Sequence, residues 1–185
     1  MANSNAPFGL RPTMRGYGGE CAQADSFWKP SANATCYIND VLVVLTGSLN
    51  QAHPTQGITV SAQKCKPLST PGTGNIIGVA LARVATGADA IVPVLINNNQ
   101  VFEAQATTVA VADIGKNANI SIGTAGNDST GQSGQQIDGA TIAATATLDA
   151  QLIGLARDAD AAFGAYGRVM VMLSRHNQVE GRTGV

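Results

Sequence analysis

The stretch Ile91–Ala106, IVPVLINNNQVFEAQA, decides which fold the sequence predicts. Two runs rich in valine, isoleucine and phenylalanine flank the triplet Asn97–Asn99. Asparagine tolerates a positive φ and bonds its own backbone, so three in a row between apolar runs predict a tight turn. We therefore predict a β-hairpin in which Ile91–Ile96 pairs with Gln100–Ala106. Phe102 is expected to face the core, because strand side chains alternate between faces.

Further strand patterns recur along most of the chain. The segments with apolar runs or alternation are Tyr37–Leu45, Ile58–Gln63, Asn75–Val84, Asn119–Ile122, Ala140–Leu148, Gln151–Arg157 and Arg168–Ser174. Glycine is abundant, at 21 residues, which suits many turns better than long helices. About nine short strands with little helix predict an all-β fold, either a single β-barrel or a jelly-roll-like sandwich.

Three segments between these strands do not follow the strand pattern. Gly47–Gly57 is a polar stretch that we predict to be a loop. Thr124–Gln136 is rich in glycine, serine, asparagine and glutamine and is predicted to be a mobile surface loop without anchors. Thr107–Asp113 fits either a strand or a short helical turn, and Gly115 just beyond it favours the turn.

Breakers and apolar anchors divide the chain into three parts. Residues 1–35 contain many glycines and prolines with scattered apolar side chains and no repeat pattern, which predicts an extended N-terminal arm. The arm is expected to lie either on its own domain or on a neighbouring molecule. Residues 36–176 form the predicted β-domain, and the polar residues 177–185 are predicted to be a flexible tail.

The charge content limits the kinds of partner. Charged residues make up 12% of the 185 residues and the net charge is −1. Nucleic-acid binding needs a basic excess or stripe, so no direct contact with nucleic acid is expected. A net charge near zero favours association between protein copies. No apolar run approaches the roughly 20 residues of a transmembrane helix, and the N-terminus lacks the pattern of a signal peptide. The three cysteines are predicted to be free thiols.

A search for chemistry predicts no catalytic residues, no cofactor and no metal. His53 and His176 have no metal-like spacing to other ligands, so both are predicted to be surface or turn residues. Asp158 and Asp160 could face a cation but lack the other positions of a calcium loop. No nucleophile elbow or phosphate-binding loop is present in the sequence. An enzyme is therefore the least expected class.

The chain resembles the decoration, or cement, proteins of bacteriophage heads. The resemblance is carried, in the same order along most of the chain, by APFGLRP at residues 6–12, NIIGVALARV at 75–84, IVPVLINNNQVFEAQ at 91–105, VADIGKNANI at 111–120, GNDSTGQSGQQID at 126–138, LIGLARD at 152–158 and GAYGRVMVMLSRHNQ at 164–178. The family has a negatively charged dipeptide where this chain has Asn97–Asn99, so a charge-based contact there is not implied.

The resemblance implies a structural virion protein that binds the outer surface of a phage head and bridges major capsid subunits. It would be made in the cytoplasm of the host bacterium, form a dimer or trimer, and contact neither membrane nor nucleic acid. Phe8, Leu10, Arg11 and Pro12 are the predicted partner-binding residues, because an extended arm reaches across a seam between subunits at about 3.3 Å per residue.

Two other functions remain open from the sequence. One is another phage structural β-protein, such as a tail-tube or fibre-base subunit. The other is a carbohydrate-binding β-sandwich, which would normally expose aromatic side chains for stacking on sugars. With one Trp and three Tyr, the chain is poorly supplied for that role.

Overall fold

The computed structural model describes residues 3–13, 24–29, 32–52, 59–73, 75–87, 89–97, 99–158 and 161–176. The strands are β1 (Arg11–Pro12), β2 (Ala24–Lys29), β3 (Val41–Ala52), β4 (Thr59–Pro67), β5 (Ile76–Ala80), β6 (Ala90–Leu95), β7 (Phe102–Gln105), β8 (Thr108–Val109), β9 (Asn117–Ala118), β10 (Ile120–Ser121), β11 (Gln136–Ile137), β12 (Ala150–Leu155), β13 (Gly164–Ala165) and β14 (Arg168–Leu173). In this part of the chain the helical elements are two 3-10 turns, Val111–Asp113 and Gly139–Thr141. The all-β prediction is confirmed.

No helix among the described residues is long and apolar enough to cross a membrane. The predicted tail, residues 177–185, lies outside the described part of the chain.

Five strands, β2, β4, β3, β5 and β6, pair in an order that returns to its start, and we call them the ring. β6 lies antiparallel to β2 from the pair Ala24–Leu95 to the pair Lys29–Ala90. β5 joins β6 to β3, and β3 pairs with β4, all antiparallel. The last link is parallel and consists of one residue pair, Trp28 with Lys64.

A second group of strands forms what we call the main sheet, in the antiparallel order β1, β7, β14, β12, β9. β7 lies between β1 and β14, so that Phe102 is opposite Pro12 on one side and Val171 on the other. Two small sheets, β10–β11 and β8–β13, complete the set of ladders. β1, only two residues long, therefore covers an edge of the main sheet.

The core consists of two apolar clusters. The larger contains residues from both the main sheet and the ring, including Leu10, Val41, Ile76, Phe102, Ile120, Leu152, Val171 and Leu173. The smaller lies among the ring strands and includes Phe27, Leu42, Cys65, Ile77 and Val92. Fully burying a Val, Leu, Ile or Phe side chain contributes about 1.5–3 kcal/mol, so these clusters supply the main stabilising term.

The predicted hairpin is wrong, although its turn is present. β6 pairs with β2 and β5, whereas β7 pairs with β1 and β14. Asn97 Oδ1 accepts a hydrogen bond from the Asn99 backbone N–H at 2.8 Å, and the Gln100 N–H donates to the Asn97 carbonyl at 3.2 Å. Asn98 lies outside the described residues. The turn connects the ring to the main sheet, because within the described residues β6 pairs only with ring strands and β7 only with strands of the main sheet.

Other strand predictions have mixed outcomes. Strands overlap the predicted segments that begin at residues 37, 58, 75, 119, 151 and 168. Ala140–Leu148 is not a strand: Asp138 caps a 3-10 turn by accepting from the Ala140 N–H at 3.1 Å. Within this segment Ala143 forms only an isolated bridge with Asn117, so the alternation of small side chains does not extend into a ladder. The predicted loop at Gly47–Gly57 is also wrong at its start, because β3 continues to Ala52.

The predicted arm of residues 1–35 is too long. β2 falls inside it and pairs with β6 along its whole length, with Phe27 buried in the smaller cluster. The surrounding glycines and prolines obscured this six-residue strand. We keep the name arm for residues 3–13, the described segment that precedes it.

Candidate interaction site

The start of the arm is bound by side-chain amides. Asn3 Nδ2 donates to the carbonyl oxygens of Ala162 and Ala165, at 3.2 and 3.0 Å. Gln105 Nε2 donates to the Ser4 carbonyl oxygen at 2.7 Å. These bonds attach the arm to β13 and to the end of β7, which lie far away in sequence.

The middle of the arm enters a junction of three segments. The Gly9 N–H donates to the Gln135 carbonyl at 3.2 Å, and the Leu10 N–H donates to the Asn39 carbonyl at 2.9 Å. Asn39 Nδ2 in turn donates to the Phe8 carbonyl at 3.1 Å. Gly9 has φ +74° and Asn39 has φ +71°, the left-handed region that glycine and asparagine tolerate best. This geometry brings the two backbones into direct contact.

The end of the arm extends the main sheet. Arg11 lies opposite Glu103, and the Thr13 N–H donates to the Val101 carbonyl at 3.0 Å. Gln100 Nε2 donates to the Thr13 carbonyl at 2.8 Å. The arm thus covers the backbone edge of β7 that would otherwise be open to solvent.

The structure corrects part of the predicted partner site. Leu10 is fully buried in the larger cluster of its own chain, so it is not an exposed anchor for a different protein. Phe8 is half-buried, with the Arg11 guanidinium carbon 5.0 Å from its ring centre. Pro12 pairs with Phe102 of the same chain. Of the two weighed alternatives, packing of the arm on its own domain is the one observed; binding of a further partner by Phe8, Arg11 and Pro12 stays a prediction.

A series of three ion pairs links the arm to the main sheet. Arg11 Nη2 lies 2.6 Å from Glu103 Oε2, and Arg168 Nη1 lies 3.6 Å from Glu103 Oε1 and 2.8 Å from Asp158 Oδ2. The Arg11 side chain is 52% exposed. Exposed ion pairs contribute only about 0–1 kcal/mol each, so these ion pairs add little to the strength with which the arm binds the main sheet.

Asp40 supports the junction beneath the arm. Its carboxylate accepts hydrogen bonds from the Ser133 hydroxyl at 2.5 Å and from the Tyr37 N–H at 2.8 Å. Gln135 Oε1 accepts from the Val41 N–H at 2.8 Å. Ser133 and Gln135 are buried, so the prediction that Thr124–Gln136 is a loop without anchors is wrong. Burial raises the pKa of Asp40 to about 6, despite these two hydrogen bonds.

The pKa of Asp40 predicts the direction of a pH effect on stability. Because the folded-state pKa of about 6 exceeds the ordinary value of 3.8, the native state binds the proton more tightly. The resulting stabilisation is complete below pH 3.8 and is lost as the pH rises to about 6. We expect this carboxyl to add a slope of about −1.4 kcal/mol per pH unit within that window.

Denaturant unfolding at several pH values measures this slope. Asp40→Asn, which cannot titrate, is expected to flatten it. An identical slope in Asp40→Asn and the unmodified protein would show that another group carries the pH dependence.

Several further titratable groups are buried. His176 is buried and its Nε2 lies 2.9 Å from the Ile77 carbonyl oxygen, so its prediction as a surface residue is wrong. Lys29 is fully buried in the ring, where Nζ donates to the carbonyls of Asn33 and Ala85 at 3.3 and 3.1 Å. Burial lowers the pKa of Lys29, and it also lowers that of His176.

The thiols of the described cysteines are unreactive at neutral pH. Cys36 and Cys65 are buried free thiols, as predicted, and Cys21 lies outside the described residues. Burial raises the pKa of Cys65 to about 12 and raises that of Cys36 as well. A thiol must ionise to act as a nucleophile, so neither is activated at neutral pH.

The residues considered for metal binding are not brought together in the described part of the chain. That part contains no group of three or more His, Cys, Asp or Glu side chains arranged to hold a metal ion. Asp158 forms an ion pair with Arg168 at 2.8 Å, while Asp160 and His53 lie outside the described residues.

Two exposed apolar side chains lie close to the small β8–β13 sheet in the fold. Val111 follows β8 and is 69% exposed, and Phe163 precedes β13 and is 39% exposed. In the register of this sheet Gly164 is opposite Val109, so Val111 and Phe163 lie near the same end of it in the fold. We call Val111 and Phe163 the apolar patch. Asn3 binds the adjacent β13 carbonyl of Ala165, so the arm begins next to this patch.

Comparison of the chain with protein-family models, with curated proteins and with solved structures finds no match.

The residues that hold the arm have little signal in the sequence. Gly9 precedes an apolar residue in a segment rich in breakers, a weak signal that its missing side chain has a purpose. Asn39, Asp40, Ser133 and Gln135 have no local signature, because each is buried by segments distant in sequence.

Proposed function

We propose that this protein is a structural virion component, a decoration or cement protein that binds the outer surface of a bacteriophage head and bridges major capsid subunits. It would act as a dimer or trimer, without catalysis, cofactor, membrane or nucleic-acid contact. The proposal is supported by the ordered resemblance along the chain and by one structural observation, the apolar patch at Val111 and Phe163.

The apolar patch suits attachment to another protein surface. A valine that is 69% exposed has little to contribute to the stability of its own domain. Contiguous exposed apolar surface is typical of protein contact sites, and Val111 and Phe163 lie near the same end of one small sheet. Only 12% of the residues are charged, so contacts in an assembly would depend mainly on apolar and backbone groups.

We further propose that the ring is a small closed β-barrel that gives the protein a rigid base. Its order of pairing and the apolar cluster among its strands support this architecture over a jelly-roll sandwich. A rigid base suits a protein that must keep its outer surfaces fixed while the shell under it is stressed.

Binding to undecorated phage heads tests the function. Purified protein is mixed with heads and sedimented, and co-sedimentation that saturates at a fixed number of copies per head is expected. The double variant Val111→Asn/Phe163→Asn should bind far more weakly while its circular dichroism spectrum stays that of the folded protein. The matched control Leu81→Asn/Ile122→Asn, which removes two exposed apolar side chains elsewhere, should bind normally.

Other outcomes would redirect the assignment. Absence of binding to heads, together with formation of rings or filaments by the protein alone, would favour a tail-tube or fibre-base subunit. Equal binding by both double variants would show that the apolar patch is not the contact.

The salt dependence of the assembly is a separate prediction. Because exposed ion pairs contribute little, raising the salt concentration from low to molar is expected to leave the protein bound to heads. Sedimentation at each salt concentration measures the bound fraction. Release by salt alone would mean that charge pairs hold the complex together.

A further inference from the structure

We propose that the surface that binds the arm also accepts the arm of a second copy of this chain, so that copies exchange residues 3–13. We call this surface the arm seat and define it by Asn39, Val101–Gln105, Gln135, Ala162 and Ala165. It is a recognition site for a segment of known sequence, and the inference does not depend on a role in virions.

The contacts of the arm do not require that the arm and its seat belong to one chain. Asn3 and Ala165 are separated by 162 residues, Thr13 and Val101 by 88, and Phe8 and Asn39 by 31. The bonds join backbone and amide groups of the arm to backbone and amide groups of the seat. The same atoms in another copy would form the same bonds, which is why exchange of an identical element is a low-cost route to oligomers.

The seat must be filled in the folded protein. Without the arm, the backbone edge of β7 and the pocket for Leu10 in the larger cluster would be exposed. An open strand edge attracts another strand, and the arm of a neighbour carries the matching side chains. When the arm of a second copy occupies the arm seat, it therefore makes the same contacts that the arm of the same chain makes there.

A segment of ten residues joins the arm to the rest of the chain. Ten residues, numbers 14–23, separate Thr13 from β2. Ten residues extend over at most about 33–36 Å, which is comparable to the width of a domain of this size. Reciprocal exchange then ties two copies together at two seats, and each bound arm raises the effective concentration of the other.

Cysteine pairing across the seat tests the proposal with full-length chains. Arg11 and Glu103 are directly opposite each other in antiparallel strands, where Cα atoms are about 4.5–5.5 Å apart and a disulfide fits. One chain carries Arg11→Cys and a second, differently tagged chain carries Glu103→Cys, both with Cys21→Ser. The two are co-expressed, purified together, oxidised and separated on a non-reducing gel.

We expect a shift from the monomer band to a disulfide-linked dimer that contains both tags. Replacing Glu103→Cys by Lys116→Cys, a surface position outside the seat, should abolish that band. Adding Gly9→Ala to the Arg11→Cys chain should also abolish it. A single chain with both Arg11→Cys and Glu103→Cys reports whether the arm lies on β7 at all.

Three results would overturn the proposal. The first is a crosslink within the doubly substituted chain while the mixed chains give no more dimer than the Lys116→Cys control. The second is no crosslink in any sample, which would mean that the arm is not bound at β7. The third is a dimer that persists with Gly9→Ala, which would indicate random collision.

Discussion

Replacing Phe102 by alanine is expected to lower the free energy of unfolding by about 3–5 kcal/mol, the largest effect of any single truncation considered for this protein. Phe102 is fully buried in the larger cluster. It lies opposite Pro12 in β1 and Val171 in β14, so in the main sheet it is flanked by the arm on one side and by β14 on the other. Removal of the ring costs the transfer free energy of its atoms and leaves a cavity that these strands close only in part.

Urea or guanidinium unfolding measures the change, and Phe163→Ala is the matched control. Phe163 is 39% exposed, so its truncation is expected to cost clearly less than that of the fully buried Phe102. Equal effects of the two substitutions would mean that Phe102 is not the centre of the core.

The second large effect is expected from Gly9→Ala, which should cost about 2–4 kcal/mol. A Cβ atom at Gly9 would overlap the carbonyl oxygen of Asn39 and lie 2.6 Å from Ser133 Cβ. The arm must then move away from the junction, and Leu10 leaves its place in the core. We therefore expect the loss of stability to be accompanied by exposure of the arm to proteases.

Gly87→Ala separates backbone strain from loss of packing. Gly87 has φ +76°, nearly the same as +74° at Gly9, but a Cβ there would meet nothing within 4 Å. Only the cost of a left-handed alanine, about 1–2 kcal/mol, applies to it. Chemical denaturation and limited proteolysis of both variants make the comparison. If Gly87→Ala were as damaging as Gly9→Ala, the contact of the arm with Asn39 would not be what matters.

Near the Asn triplet, local sequence predicts the turn and the side-chain orientation but not the strand pairing. The turn at Asn97 and the inward orientation of Phe102 were predicted from local rules, asparagine chemistry and strand alternation, and both are confirmed. The pairing of the two flanking strands was predicted from their proximity in sequence alone, and it is wrong. Strand edges carry the same backbone donors and acceptors in every strand, so local sequence does not specify the partner.

The arm shows the same limit at the candidate site. Its sequence, with glycine, proline and scattered apolar residues, indicated an extended segment with anchors, and Arg11–Pro12 is indeed a strand. Whether Leu10 packs on its own chain depended on a pocket built by residues of the main sheet and the ring. No property of the arm itself distinguishes that pocket from one on a neighbour, and for that reason exchange between copies is a testable consequence.

The residue pattern is sufficient to specify a protein built from β-strands, because short Val- and Ile-rich runs between glycine and asparagine turns bury their side chains best as strands. It also determined that Phe102 belongs to the core. The division into ring and main sheet, the seat of the arm and the burial of Asp40 arise only when the folded chain brings distant segments together. These depend on contacts between residues far apart in the chain, such as Asp40 and Ser133, which are 93 positions apart and whose contact no local pattern of side chains encodes.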